Sequence, residues 1–155
     1  MDEQTRRRKK SAIEQPLLYR FPEDLIVRET VPGQDTSQEL EDILHSKIKF
    51  DVNYYNDYGH TALGTSAFVG SLKCCQILVH LGAEVTKKDA DGWTALHYAL
   101  ARGYLDIARY LILNGGNLFS VNSDGERALD FVDDEEIKLS LSKYQEQCSQ
   151  TRAEL

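Results

Sequence analysis

Asp91-Gly92-Trp93-Thr94-Ala95-Leu96-His97-Tyr98-Ala99, then Gly103-Tyr104-Leu105-Asp106-Ile107-Ala108-Arg109-Tyr110-Leu111-Ile112, then Asn114-Gly115-Gly116-Asn117-Leu118, is the stretch that decides the fold. It reads as a glycine turn, a short helix of small apolar residues, a second glycine turn, a longer amphipathic helix and a glycine stop. The unit is a helix-turn-helix closed by turns at both ends.

Counting back 33 residues recovers the same pattern: Gly92 falls on Gly59, Thr94-Ala95-Leu96 on Thr61-Ala62-Leu63, Gly103 on Gly70, Leu111 on Leu78, Gly115 on Gly82 and Leu118 on Val85. Counting forward gives Gly125 and Ala128-Leu129, and a second step back gives Val52 without a glycine. The register is strong for two units and fades at both ends, as capping repeats require.

A period of this length with Thr94-Ala95-Leu96-His97 at the start of the first helix resembles the ankyrin repeat, over roughly residues 35–145. The resemblance implies an all-α solenoid of about three to four helix-turn-helix units with degenerate caps, spanning about 21–54, 57–86, 90–119 and 123–145. Residues 1–20 are expected to be a disordered basic arm with an apolar anchor, and 146–155 a frayed tail.

In the first unit, Phe21-Pro22-Glu23-Asp24 suits a helix entry, because proline fits a first turn and acids favour the positive helix end. Pro32-Gly33 stops that helix, and Asp35-Thr36-Ser37-Gln38 opens another through Leu44. Lys49-Phe50 stands where a glycine stop was due, so the loop from His45 to Asp51 is expected to have gained residues. In the last unit, Asp133-Asp134-Glu135-Glu136 precedes Ile137, Leu141 and Tyr144 at helical spacing, and the acids suit a helix cap.

The chain has 155 residues, of which 41% are apolar, enough for one core. No apolar run is long enough to cross a membrane, and the polar N-terminus resembles no secretory signal. Cys74, Cys75 and Cys148 make no disulfide framework, which points to a reducing compartment, cytoplasmic with a nuclear alternative. On a helix Cys74 and Cys75 point about 100° apart, so one buried and one exposed thiol are expected.

The net charge is −7, yet Arg6, Arg7, Arg8, Lys9 and Lys10 are concentrated at the N-terminus. The acidic remainder argues against nucleic-acid binding. The basic run reads as a solvated tail, a nuclear import signal, or an arm that meets an acidic partner surface.

No constellation for catalysis is present. His45, His60, His80 and His97 are scattered, with no metal spacing, phosphate loop or nucleophile elbow. A non-enzyme without cofactor or metal, monomeric by itself, is expected. His97 is assigned a structural hydrogen bond between turns. Tyr55, Trp93, Tyr98 and Tyr104 are candidates for a concave binding face, with Trp93 equally suited to cover the gap between repeats.

Lys47-Ile48-Lys49-Phe50 matches the docking pattern read by protein phosphatase 1: a basic residue, Val or Ile, any residue, then Phe or Trp. A closer resemblance is carried by Gly103-Tyr104-Leu105-Asp106-Ile107-Ala108, Val121-Asn122-Ser123-Asp124-Gly125, Leu129-Asp130 and the acid run. These are similar to the ankyrin region of the myosin phosphatase targeting subunits and their relatives. That family carries its docking motif just before the first repeat, behind a basic arm, which implies docking through Tyr19, Arg20 and Phe21. There Tyr19 replaces the family's Val or Ile, and Leu18 its basic residue. The resemblance implies a non-catalytic regulatory, inhibitory or targeting subunit of the phosphatase catalytic subunit. A generic ankyrin adaptor, such as a nuclear transcriptional co-regulator, is the alternative.

Overall fold

Thr61 and Thr94 open the inner helices of the two central units, and Ser71 and Asp134 open two of the outer ones. The computed structural model describes residues 19–154. In chain order it contains β1 (Tyr19–Arg20), α1 (Glu23–Glu29), α2 (Ser37–His45), β2 (Phe50–Asp51), α3 (Ala62–Val69), α4 (Leu72–His80), α5 (Ala95–Ala101) and α6 (Leu105–Leu113). A 3₁₀ turn (Ala128–Phe131) and α7 (Glu135–Ala153) close the chain.

Thr61 accepts from the Gly64 N–H at 3.0 Å, and Ser71 from the Cys74 N–H at 3.1 Å, each satisfying an otherwise orphan donor at a helix start. The inner helices α3 and α5 are lined by Ala62, Leu63, Ala67, Ala95, Leu96 and Ala99, all buried. Small residues let the outer helices α4 and α6 pack closely, contributing Ile77, Leu78, Ile107, Ala108, Leu111 and Ile112 to one continuous core.

Between the helical pairs the chain makes paired turns, or fingers. Residues 33 apart head them: Asn56 Oδ1 accepts from the Tyr58 and His60 N–H groups at 3.0 and 2.9 Å, Asp89 Oδ1 from Asp91 and Trp93 at 2.9 and 2.9 Å, and Asn122 Oδ1 from Asp124 and Glu126 at 3.0 and 2.9 Å. These Asx turns bring the backbone round without a sheet. Gly59 and Gly92 complete them in the left-handed region, with φ of 78° and 77°. A Cβ at Gly59 would lie 2.6 Å from Ala90 Cβ, and one at Gly92 would lie 2.8 Å from the Ser123 N, so the fingers stack almost backbone to backbone.

The first unit carries the longer loop that was expected. α2 keeps the nine residues of α4 and α6 but sits two residues earlier in the register, so six residues separate it from Val52, whereas four separate α4 from Val85 and α6 from Leu118. α2 ends at Ser46, whose ψ of 149° is extended. The added length forms β2, which pairs in parallel with β1, Tyr19 opposite Phe50 and Arg20 opposite Asp51.

The C-terminal end is corrected. Rather than fraying from 146, α7 continues to Ala153. Ile137, Leu141, Tyr144 and Cys148 repeat at three- and four-residue spacing along its packed face. Arg152 then donates to the Ile112 carbonyl oxygen at 2.8 Å, capping the end of α6. Asp134 caps the other end, accepting from the Glu136 and Ile137 N–H groups at 2.8 and 3.1 Å. The inner helix of this last unit is reduced to the 3₁₀ turn. Both Cys74 and Cys75 are buried, because α4 is covered on two sides, and the expected exposed thiol is absent there.

Candidate protein-interaction face

His97 lies fully buried where α5 meets its finger. Its Nδ1 accepts from the Thr94 N–H at 3.2 Å and lies 2.8 Å from Thr94 Oγ1. A backbone N–H can only donate, so the proton sits on Nε2, which donates to the Glu126 carbonyl oxygen at 3.3 Å. Burial holds the imidazole below its ordinary pKa, and it stays neutral. This is a bolt between units, with no free lone pair for chemistry.

Around that bolt the fingers and inner helices expose a ridge of aromatic rings. Tyr58 stacks on His60 at 6.4 Å, His60 meets Tyr98 at 6.3 Å, Tyr98 meets Trp93 at 4.9 Å, and Trp93 meets Phe131 at 4.8 Å. Phe68 joins from the side, edge-on to Tyr98 at 6.0 Å. The ridge is a product of the repeat: His60 and Trp93 are 33 residues apart, as are Tyr98 and Phe131. It therefore crosses three units at constant height.

Tyr98 is the fixed centre. Its hydroxyl donates to the Asp89 carboxylate, which together with burial raises its pKa above the ordinary tyrosine value. Gly64 occupies the slot that His97 fills one unit later. The Tyr98 ring lies against Gly64, where a Cβ would come within 3.4 Å of it, and beside them is a concavity of about 200 Å³ bounded by His60, Gly64, Thr65, Phe68 and Tyr98. Phe68 is 47% exposed and carries the Arg102 guanidinium at 4.9 Å. Arg102 has no carboxylate partner among the described residues, whereas Asp57, Asp91 and Asp124 stand exposed on the fingers.

Tyrosine, tryptophan and arginine on a preformed concave surface are the side chains that dominate protein–protein binding energy. The described residues include no group of three or more His, Cys, Asp or Glu able to hold a metal ion. No described helix is long and apolar enough to cross a membrane.

Of the four aromatic candidates, Trp93 and Tyr98 lie on this face and touch. The Trp93 ring also bridges two units, between Tyr98 and Phe131. Tyr55 sits at the base of its finger, committed to the next one: its hydroxyl donates to the Lys88 carbonyl oxygen at 2.8 Å, and Lys87 lies 4.7 Å over its ring. Tyr104 belongs elsewhere. It begins α6, at the far end of the inner helices from the fingers, where its ring covers Gly70 so closely that a Cβ there would come within 2.6 Å. His60, Phe68 and Phe131 are additions to the predicted set; the period that links 60 to 93 and 98 to 131 was the signal for two of them.

The N-terminal docking segment is corrected more sharply. Phe21 is 1% exposed, part of the core with Leu25, Ile26, Leu40 and Val52. Its N–H donates to the Asp51 carbonyl oxygen at 3.3 Å, and its own carbonyl accepts from the Tyr54 hydroxyl at 2.9 Å. A ring so held cannot enter a partner's pocket while the cap is folded. Tyr19 is exposed, and Arg20 lies 5.0 Å over the Tyr54 ring. In the other segment Lys47, Ile48 and Lys49 are exposed, with Ile48 at 51%, and Phe50 is half-buried against the core edge. The basic run Arg6–Lys10 lies outside the described residues.

Comparison with known proteins agrees with the architecture. A family model described as ankyrin repeats (3 copies) matches residues 35–124. The chain is 36% identical over 114 residues to protein phosphatase 1 regulatory subunit 27 of Mus musculus, covering 74% of this chain and 73% of that protein, and 35% identical to its Homo sapiens counterpart over the same length. It is also 39% identical over 89 residues to the Notch-regulated ankyrin repeat-containing protein of Homo sapiens, covering 56% of this chain and 77% of that protein. These relatives are named as a regulatory subunit and an ankyrin protein, both non-catalytic kinds of protein. The chain belongs to the ankyrin-repeat family, and within it resembles the protein phosphatase 1 regulatory subunits.

Proposed function

We propose that this protein is a non-catalytic regulatory subunit that binds the catalytic subunit of protein phosphatase 1 and modulates its access to substrates. The observation that carries the reading is the 36% identity over 114 residues to a protein phosphatase 1 regulatory subunit. The aromatic face supports it by offering a rigid second contact, so that two modest interactions act together with the avidity of linked sites. Lys47-Ile48-Lys49-Phe50 is the docking segment in this reading. It takes precedence over Tyr19-Arg20-Phe21, because Ile48 is already in solvent whereas Phe21 is locked in the core. Action in the cytoplasm and nucleus, with Arg6–Lys10 as the import signal, belongs to the same proposal.

The test is calorimetric titration of the purified catalytic subunit, with Ile48→Ala and Trp93→Ala as separate variants. Loss of roughly tenfold or more in affinity from each is expected, and a phosphatase assay on a protein substrate reads whether activity rises or falls. Affinity unchanged by both, or no binding, overturns the reading. The similarity to a Notch-regulated ankyrin repeat-containing protein supports a second one, in which the same face serves an adaptor with a different protein partner.

A further inference from the structure

Lys47–Phe50 is extended, but it is not free. Phe50 sits opposite Tyr19 in the two-stranded parallel sheet, and Asp51 sits opposite Arg20. Its ring rests half-buried against the core edge while Ile48, two residues upstream, stands 51% exposed. Alternate residues of an extended segment share a face, so both side chains can enter neighbouring pockets only if Phe50 leaves that seat. The backbone hydrogen bonds that a partner's sheet edge would offer to this segment are the kind β1 already makes with β2.

We infer that β1 is a latch over the docking segment. Tyr19–Arg20 holds Phe50 in its seat, and release of those two residues hands Ile48 and Phe50 together to the exposed sheet edge of a partner bearing two apolar pockets, with Lys47 and Lys49 meeting acidic groups beside them. The inference rests on the docking role proposed for Lys47–Phe50. The latch is short by construction: two residue pairs, with Tyr19 itself largely in solvent, whereas Phe21 immediately after it is anchored. Opening therefore detaches the strand without dismantling the cap.

Two variants of the full chain push the latch in opposite directions, titrated against purified phosphatase catalytic subunit. Tyr19→Pro removes an N–H and is poorly tolerated in a ladder; it is expected to tighten binding about three- to tenfold, with cooperative urea unfolding retained. Arg20→Cys with Asp51→Cys, in a Cys148→Ser background, ties the strands by a disulfide when oxidised. Oxidation is expected to weaken binding at least about tenfold and reduction to restore it, so the double variant is its own control. If Ile48→Ala abolishes binding but Tyr19→Pro fails to strengthen it, or the oxidised pair binds as well as the reduced one, the latch is refuted and the docking segment stands. If Ile48→Ala changes nothing, the docking role itself falls and the latch with it.

Discussion

Asp89 and Tyr98 divide one carboxylate between two tasks: Oδ1 turns the finger by accepting from Asp91 and Trp93, and Oδ2 accepts the Tyr98 hydroxyl. Asn56 and Asn122 turn their fingers in the same way, but their second polar atom donates instead, to Glu23 at 3.4 Å and to Glu126 at 3.0 Å. Replacing Asp89 by Asn should keep the turn and cost under about 1 kcal/mol. Asp89→Ala leaves two backbone donors and a tyrosine hydroxyl unpaired and is expected to cost about 2–3 kcal/mol in urea unfolding.

The cap rests on Phe21. Phe21→Ala should destabilise by about 3–4 kcal/mol, the range for a fully buried phenylalanine. Tyr54→Phe, which removes the hydroxyl shared by the Phe21 carbonyl and Glu23 at 2.9 Å each, should cost about 1 kcal/mol. Hydrogen exchange would show the loss concentrated in α1 and α2.

Finger glycines should differ in cost although their backbones match. Gly92→Ala meets both a positive φ and the Ser123 N at 2.8 Å, while Gly125→Ala meets the same φ with nothing within 4 Å. About 1 kcal/mol is expected at Gly125 and at least about 2 at Gly92, read as the shift in thermal midpoint.

Thiol chemistry should be confined to one site. Burial pushes the Cys74 thiol up to about 11 and Cys75 further in the same direction. At pH 7.5 the native protein should react with a colorimetric disulfide reagent chiefly at Cys148, and all three cysteines should react in denaturant. Two fast thiols in the native state would contradict the packing of α4.

Stability should fall at both pH extremes for opposite reasons. The neutral Cys74 thiol contributes fully below its ordinary value of 9.0 and loses that contribution as pH rises toward about 11, on the order of 2 kcal/mol. Tyr54 and Tyr98, raised above 10.0, add to the same alkaline limb. His97 is held neutral with a lowered pKa, so its contribution is present above 6.5 and lost as pH falls below it. Cys74→Ala should flatten the first limb and His97→Gln the second.

Much of the stack could be read in advance, because Thr61, Thr94, Gly59, Gly92 and Val52 recur at a fixed interval and each has a local cause. The bolt through His97 was legible from another signal, its place after Thr94-Ala95-Leu96 in the ankyrin tetrapeptide, since the residue 33 positions earlier is Gly64. The strand pairing was not: Tyr19 and Phe50 lie 31 residues apart, in segments too short to show a period. Nor did the sequence reveal that Phe21 faces inward, since an aromatic ahead of a proline suits an exposed arm as well as a cap. The aromatic ridge was half visible, with Trp93 and Tyr98 foreseen; His60 and Phe131 required carrying the period across to them. Phe68 has no aromatic counterpart at Ala101 and carried no such signal.

Arg152 has a consequence beyond holding α7. An open-ended stack of identical units presents, at its last helix pair, an apolar platform and bare carbonyl groups on which another copy can grow. Here a guanidinium fills those carbonyls, and the outward side of the final helix is charged and amide-bearing, with Glu146, Gln147 and Gln150 all exposed. That end is therefore a poor platform for growth by addition, the one largely exposed leucine of the helix, Leu139, standing among exposed Glu135, Glu136 and Lys143.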